Sequence, residues 1–250
     1  MDPAILYKYR SLEKIDGDRV RESFANSTLY FSSPAQFNDP FDCKIELSLD
    51  GSGAEWKKYI CHKLRVHKPN LSPADRLTET NRIIRSGSYK KLDPEISTQA
   101  AKSVGVYCLS AVNDDILMWS HYANAHKGIC LGFRAGPADQ FFRRSQKVHY
   151  SPSYPTTRIF DSDEQRFTTA ILTKSEHWSH EKEYRIIETK GPGTYAFPED
   201  LLVEVILGCE ISDQDRQSVT TWTEARSPKP RLLLARRKER EFGLAIEEAL

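Results

Sequence analysis

Val104-Gly105-Val106-Tyr107-Cys108-Leu109-Ser110, a helical stretch from Asp114 to about Ala125, and Gly128-Ile129-Cys130-Leu131-Gly132-Phe133 follow one another and decide the fold class. The two outer runs are short and apolar at consecutive positions, the pattern of strands buried on both faces. Between them, Ile116, Leu117, Trp119 and Tyr122 are spaced as packing positions of a helix. Set among separate strands and helices in mixed order, this succession is read as part of a single α+β domain.

The rest of the chain extends that reading. Ile5-Leu6-Tyr7-Lys8-Tyr9-Arg10 alternates and is rich in aromatics, as a strand should be. A short helix is expected over Arg19 to Asn26, and a second strand over Leu29 to Ser33 that stops at Pro34. Phe37-Asn38-Asp39-Pro40-Phe41-Asp42 reads as a turn, because Asn and Asp bond their own backbone and Pro presets φ. Cys43 to Leu49 gives a further short strand. Residues 51–104 read as a charged helical insertion within a single domain spanning 1–250. Trp56, Tyr59, Ile60 and Leu64 set the first helical face, Ser72-Pro73 opens a second helix and Asp93-Pro94-Glu95 a third. Further on come a strand at Val148 to Tyr150, a helix at Phe167 to Ser175, and strands at Glu183 to Ile187 and Leu202 to Leu207. A helix starting at Ser212 and a last strand at Arg231 to Ala235 complete the chain.

Composition excludes several function classes. The 250 residues carry a net charge of +1, which gives no field to draw in a polyanion or an anionic membrane. No apolar run approaches the ~20 residues of a membrane helix, and Met1 to Leu6 lacks the basic-then-apolar pattern of a secretory signal. Five cysteines, odd in number and without a Cys-x-x-Cys, argue against a disulfide framework or a structural zinc site. The expected setting is the cytoplasm, and no metal is expected.

Three stretches carry polar chemistry. Met118-Trp119-Ser120-His121-Tyr122 places Trp119 and Tyr122 three residues apart on one helical face, where they are either core or a ring-binding wall. In Trp178-Ser179-His180-Glu181-Lys182-Glu183-Tyr184-Arg185, strand alternation puts Glu181, Glu183 and Arg185 on one side. An exposed Glu–Arg ladder gives the same pattern. In a cleft, two adjacent carboxylates shift each other's pKa. On the first strand, Lys8 and Arg10 with the hydroxyls of Ser32 and Ser33 suit a phosphate or nucleotide.

Taken in order, these segments resemble an uncharacterised bacterial family, domain of unknown function 2971. The resemblance runs through Leu6 to Arg10, Phe31-Ser32-Ser33-Pro34, Phe37 to Phe41, Met118 to Ala123, Gly128 to Phe133, Glu181 to Arg185 and Val205-Ile206-Leu207-Gly208. More distantly, the chain resembles ADP-ribosyltransferases. In those enzymes a Gly-Val-Tyr-type strand leads to a helix ending in Tyr-Ala, then a buried strand, and later a strand carrying Glu before Tyr. Gly105-Val106-Tyr107-Cys108, His121-Tyr122-Ala123, Ile129 to Phe133 and Glu183-Tyr184 follow that order. The resemblance implies a split, mostly antiparallel β-sheet core and NAD as substrate. It also implies a macromolecular acceptor, protein or nucleic acid, as for a bacterial toxin or phage-defence effector.

Carried over by position, Glu183 resembles the catalytic glutamate and Tyr122 the aromatic that stacks on nicotinamide. Lys8 or Arg10 resembles the first-strand cation, though the usual residue there is His or Arg, so Lys8 departs from the pattern. Breaking the nicotinamide–ribose bond builds positive charge on the ribose, which a fixed carboxylate such as Glu183 stabilises. Glu181 would orient or deprotonate the acceptor, Tyr122 and Trp119 would sandwich the leaving ring, and Lys8, Arg10 and Ser32 would hold the pyrophosphate. Two other readings compete. One is a non-catalytic nucleotide- or protein-binding module on the same fold. The other is a metal-dependent nuclease using Asp39, Asp42, His121 and Glu183.

Overall fold

The computed structural model describes residues 3–88, 103–136 and 139–249. The third helix expected in the insertion, from Asp93, lies outside them. Fourteen strands form among the described residues: β1 (Ile5–Arg10), β2 (Thr28–Phe31), β3 (Glu46–Ser48), β4 (Gly105–Ser110), β5 (Ile129–Arg134), β6 (Gln146–Lys147), β7 (His149–Ser151), β8 (Thr156–Arg158), β9 (Thr173–Ser175), β10 (Glu183–Glu188), β11 (Gly193–Ala196), β12 (Leu202–Leu207), β13 (Arg231–Arg237) and β14 (Leu244–Glu248). Eight make one mixed sheet in the order β14-β13-β12-β5-β1-β4-β10-β6, antiparallel except where β12 meets β13. The fold is α+β, as expected from the sequence.

The chain divides into two compact units: residues 1–42, 102–152 and 174–250 in one, residues 43–101 and 153–173 in the other. The large sheet belongs to the first. Its central strands bury both faces, which is why their sequences read as continuous apolar runs. Alternation along β5 sends Ile129, Leu131 and Phe133 into one core with Leu6, Val205 and Leu207. It sends Cys130 into a second core with Tyr9, Trp119, Ile206 and Leu233. The helices Lys14–Ala25 and Asp213–Glu224 add Val20, Phe24 and Val219 to the first core. The helix Ile116–Tyr122 adds Met118 and Trp119 to the second. Asp115 caps that helix by accepting from the backbone N–H of Leu117 and Met118, both at 2.9 Å. At the start of β5, Gly128 is required by close approach, because a Cβ there would lie 2.1 Å from the Arg10 carbonyl oxygen.

In the second unit, β3 and β8 pair in parallel. The helices Gly53–His67 and Pro73–Ser86 fall where the sequence places them, capped by Ser52 and Ser72. Trp56, Ile60 and Leu64 pack with Ile159. The helix expected over 167–175 is displaced to Asp163–Ile171, because Ser162 forms a capping box with Gln165 and fixes an earlier start. The residues after it extend as β9. No helix among the described residues is long and apolar enough to cross a membrane.

The large sheet is interrupted between β1 and β4. β1 pairs with β5 at six positions and β10 with β4 at six, but β1 meets β4 at the single pair Tyr7–Ser110. Beyond that pair the two strands diverge. The rest of that edge of β4 takes other partners: Lys8 Nζ donates to the Cys108 carbonyl at 2.8 Å, and Val106 bridges the backbone of Ser32.

Candidate functional site

A cleft of about 250 Å³ opens where β1 and β4 part. Lys8 and Arg10 line it from β1, Cys108 and Ser110 from β4, Ser32 from the end of β2, and Tyr122 from the helix Ile116–Tyr122. Glu181, Glu183, Arg185, Lys174 and Asp42 also line it. Six of the seven residues named from sequence therefore share one cleft. Trp119 does not. It is fully buried, edge-on to Tyr9 at 5.3 Å, and its Nε1 donates to the Asn113 carbonyl at 2.8 Å. It is core rather than a wall of the site: its ring packs inside the second core, while the Tyr122 hydroxyl reaches Glu181 at the cleft. Trp119→Phe is expected to cost about 1–2 kcal/mol in urea unfolding, from the lost hydrogen bond and volume. It should leave the cleft's ligand binding unchanged by titration.

The two glutamates do not lie on one strand as alternation suggests. Glu181 ends the 3-10 turn Glu176–Glu181, and Lys182 follows in a left-handed conformation with φ 44° before β10 begins at Glu183. That kink is held by the end of β4: Ser110 Oγ donates to the Glu181 carbonyl at 2.7 Å, and the Ala111 N–H donates to the Lys182 carbonyl at 3.1 Å. Tyr150 fixes the next residue by accepting from the Glu183 N–H at 2.8 Å. The kink brings both carboxylates to one cation, Lys174. Its Nζ donates to Glu181 Oε2 and, at 3.1 Å, to Glu183 Oε2, and lies 3.9 Å from Asp42 Oδ2.

Arg185 completes the cluster with two forks. Nε and Nη2 donate to the two Glu183 oxygens at 2.8 and 3.0 Å, while Nη1 and Nη2 donate to the Asp42 carboxylate at 3.0 and 2.6 Å. The Arg185, Glu181 and Glu183 side chains are all at most 4% exposed. The exposed Glu–Arg ladder is thus overturned: these groups form a buried network.

Three carboxylates meet two cations, so the cluster carries one excess negative charge when all are ionised. Its electrostatics divides the two glutamates. Burial alone would raise Glu183, but Arg185 and Lys174 outweigh it and hold that carboxyl far below its ordinary range. Glu181 is raised, chiefly by burial, with Glu183 adding to the effect and Lys174 opposing it. Across the cleft, burial and the neighbouring Arg10 pull Lys8 down to about 8. Lys8 also lies over the Tyr107 ring, 5.1 Å from its centroid, and Arg10 is 3.5 Å from Asp16.

The residues of the nuclease reading are engaged elsewhere. Asp39 accepts from the Phe41 N–H at 2.8 Å, Asp42 and Glu183 are bound by Arg185, and His121 is exposed beside Trp178. Among the described residues no group of three or more His, Cys, Asp or Glu is placed to hold a metal.

Lys174 escapes the sequence reading because it falls within a segment that reads as helix. Asp42 enters only as a turn residue and possible metal ligand. Their shared signal is long-range, with Asp42 reaching Arg185 across 143 residues. The segment from Met118 to Ile186 contributes Tyr122, Lys174, Glu181, Glu183 and Arg185 to the cleft.

Residues 118–186 match DUF2971, a protein family of unknown function. The DUF2971 match thus contains both glutamates and both cations of the buried cluster, while Asp42, Lys8 and Arg10 lie outside it. No curated protein and no solved structure matches the chain.

Proposed function

We propose that the cleft binds NAD and acts on its nicotinamide–ribose bond, as an ADP-ribosyltransferase-like enzyme passing ADP-ribose to a protein or nucleic-acid acceptor. The observation that carries this reading is the polarity of the cleft. An anionic end built on Glu181 and Glu183 faces cations on β1, and both lie at the gap between β1 and β4. Excess negative charge beside the ribose favours the positive charge that develops as the bond breaks. Lys8 and Arg10 suit the pyrophosphate. The cleft volume is just below the ~300–1,000 Å³ of typical ligand pockets, so it suits the nicotinamide ribose and pyrophosphate rather than the whole dinucleotide.

The test is nicotinamide release from NAD by the purified chain, with water or a macromolecule as acceptor. Lys8→Met should raise KM for NAD roughly 10- to 100-fold through loss of a charged hydrogen bond. An unchanged KM removes Lys8 from ligand binding. Total absence of nicotinamide release with every acceptor tried ends the enzyme reading.

A second reading, a nucleotide-binding module without catalysis, is favoured by one observation. Both Glu183 oxygens already accept hydrogen bonds from Arg185, and Oε2 also accepts from Lys174. This reading requires NAD to bind by calorimetry without turnover.

A further inference from the structure

The carboxylate that sequence order singles out is the one least free to react. Glu183 Oε1 accepts from Arg185 Nε, and Oε2 accepts from both Arg185 Nη2 and Lys174 Nζ. Glu181 is held differently. Lys174 takes Oε2, and the hydroxyl of Tyr122 donates to Oε1 at 2.6 Å. That hydroxyl accepts in turn from Asn38 Nδ2 at 3.4 Å, and both residues line the cleft. Glu181 itself is almost wholly buried, whereas Tyr122 is half-buried.

We infer that Glu181 exchanges its proton with the cleft through the Tyr122 hydroxyl, and that Lys174 is the positioning residue that keeps the carboxylate on that hydroxyl. The inference rests on the NAD reading for the reaction it serves, but the proton link exists whether or not NAD is the substrate. In the reaction, the acceptor O–H or N–H breaks as its proton passes to the Tyr122 oxygen while the Tyr122 proton passes to Glu181 Oε1. The acceptor lone pair bonds to the ribose carbon, and nicotinamide leaves neutral with the electrons of the C–N bond. Glu183 stays ionised beside the ribose throughout. Tyr122 therefore contributes its hydroxyl, not only its ring.

The groups facing Glu181 fix the direction of each effect. Lys174 comes from β9, Glu183 from β10, Tyr122 from the helix Ile116–Tyr122 and Tyr150 from β7, with Asp42 and Arg185 on the far side of Lys174 and His180 on the same turn. Tyr122 and Lys174 each favour the ionised form of Glu181, so removing either raises its pKa further.

The test is a pH titration of the ¹³C-labelled glutamate carboxyl signals, with the Glu181 signal assigned by its absence in Glu181→Gln. Tyr122→Phe keeps the ring and its packing, and should move the Glu181 midpoint up by at least half a pH unit. Lys174→Met should move it further, and Lys174→Arg should bring it back toward wild type. The Arg variant also keeps the comparison open if Lys174→Met does not fold. In nicotinamide release, Tyr122→Phe should lower kcat roughly 100-fold with KM within twofold, whereas a purely ring-stacking role predicts kcat retained. Superimposable Glu181 titrations in wild type and Tyr122→Phe overturn the inference. Wild-type protein that releases no nicotinamide overturns the NAD reading instead, and leaves the titration to decide the proton link.

Discussion

Arg185→Met is expected to lower the free energy of unfolding by about 3–5 kcal/mol, read from urea denaturation at neutral pH. The guanidinium is fully buried and binds both Glu183 and Asp42 through paired hydrogen bonds. Removing it leaves two buried carboxylates to share Lys174 with Glu181, so three anions would face one cation. Replacing a whole buried ion network by neutral groups is far milder than breaking it. Arg185→Met combined with Glu183→Gln and Asp42→Asn should therefore recover much of the loss. A single-variant cost below about 1 kcal/mol would mean that water reaches the cluster and screens it.

The pH dependence has a definite sign. Folded Glu183 holds a proton less tightly than the unfolded chain, whose glutamates titrate near 4.5. Its stabilisation is present in full above that value and is lost as pH falls through the depressed folded one. The gap between wild type and Arg185→Met should accordingly be widest near neutrality and narrow in acid.

Glu181→Gln should separate activity from stability. Nicotinamide release should fall roughly 10²- to 10⁴-fold, the usual contribution of a positioned acid–base group. Stability at neutral pH should stay level or rise. Burial already disfavours the ionised form of Glu181, so the folded state binds a proton there more tightly than the unfolded chain. Its unfavourable contribution grows as pH rises through the folded value, and glutamine removes it. Glu183→Gln should behave in the opposite way and lose stability, because Arg185 and Lys174 would lose a shared anion. If the two variants are indistinguishable in both assays, the division of roles between the glutamates is wrong.

Local pattern carried the strands well and the charged cluster poorly. β1 and β12 begin and end where alternation and apolar runs place them, because those signals are written in neighbouring residues. Glu181, Glu183, Lys8, Arg10, Ser32 and Tyr122 reach one cleft, and their order along the chain was enough to group them. Trp119 is not separable from Tyr122 by helical spacing alone, since three residues apart they share a helical face. Lys174 is a single cation in a three-residue strand, and nothing near it in sequence announces three carboxylates. The left-handed turn at Lys182 is likewise invisible to a period-two pattern, yet it decides where Glu181 points.

The lysine at the parting of β1 and β4 has two tasks at once. Position 8 must cross the gap to the Cys108 carbonyl and still serve whatever enters it. An ammonium carries three donors on a long stem; one closes the sheet and two remain. Lys8 thus works as a hinge pin with spare valence, joining two half-sheets that could otherwise part while keeping a charge on offer to an anion between them.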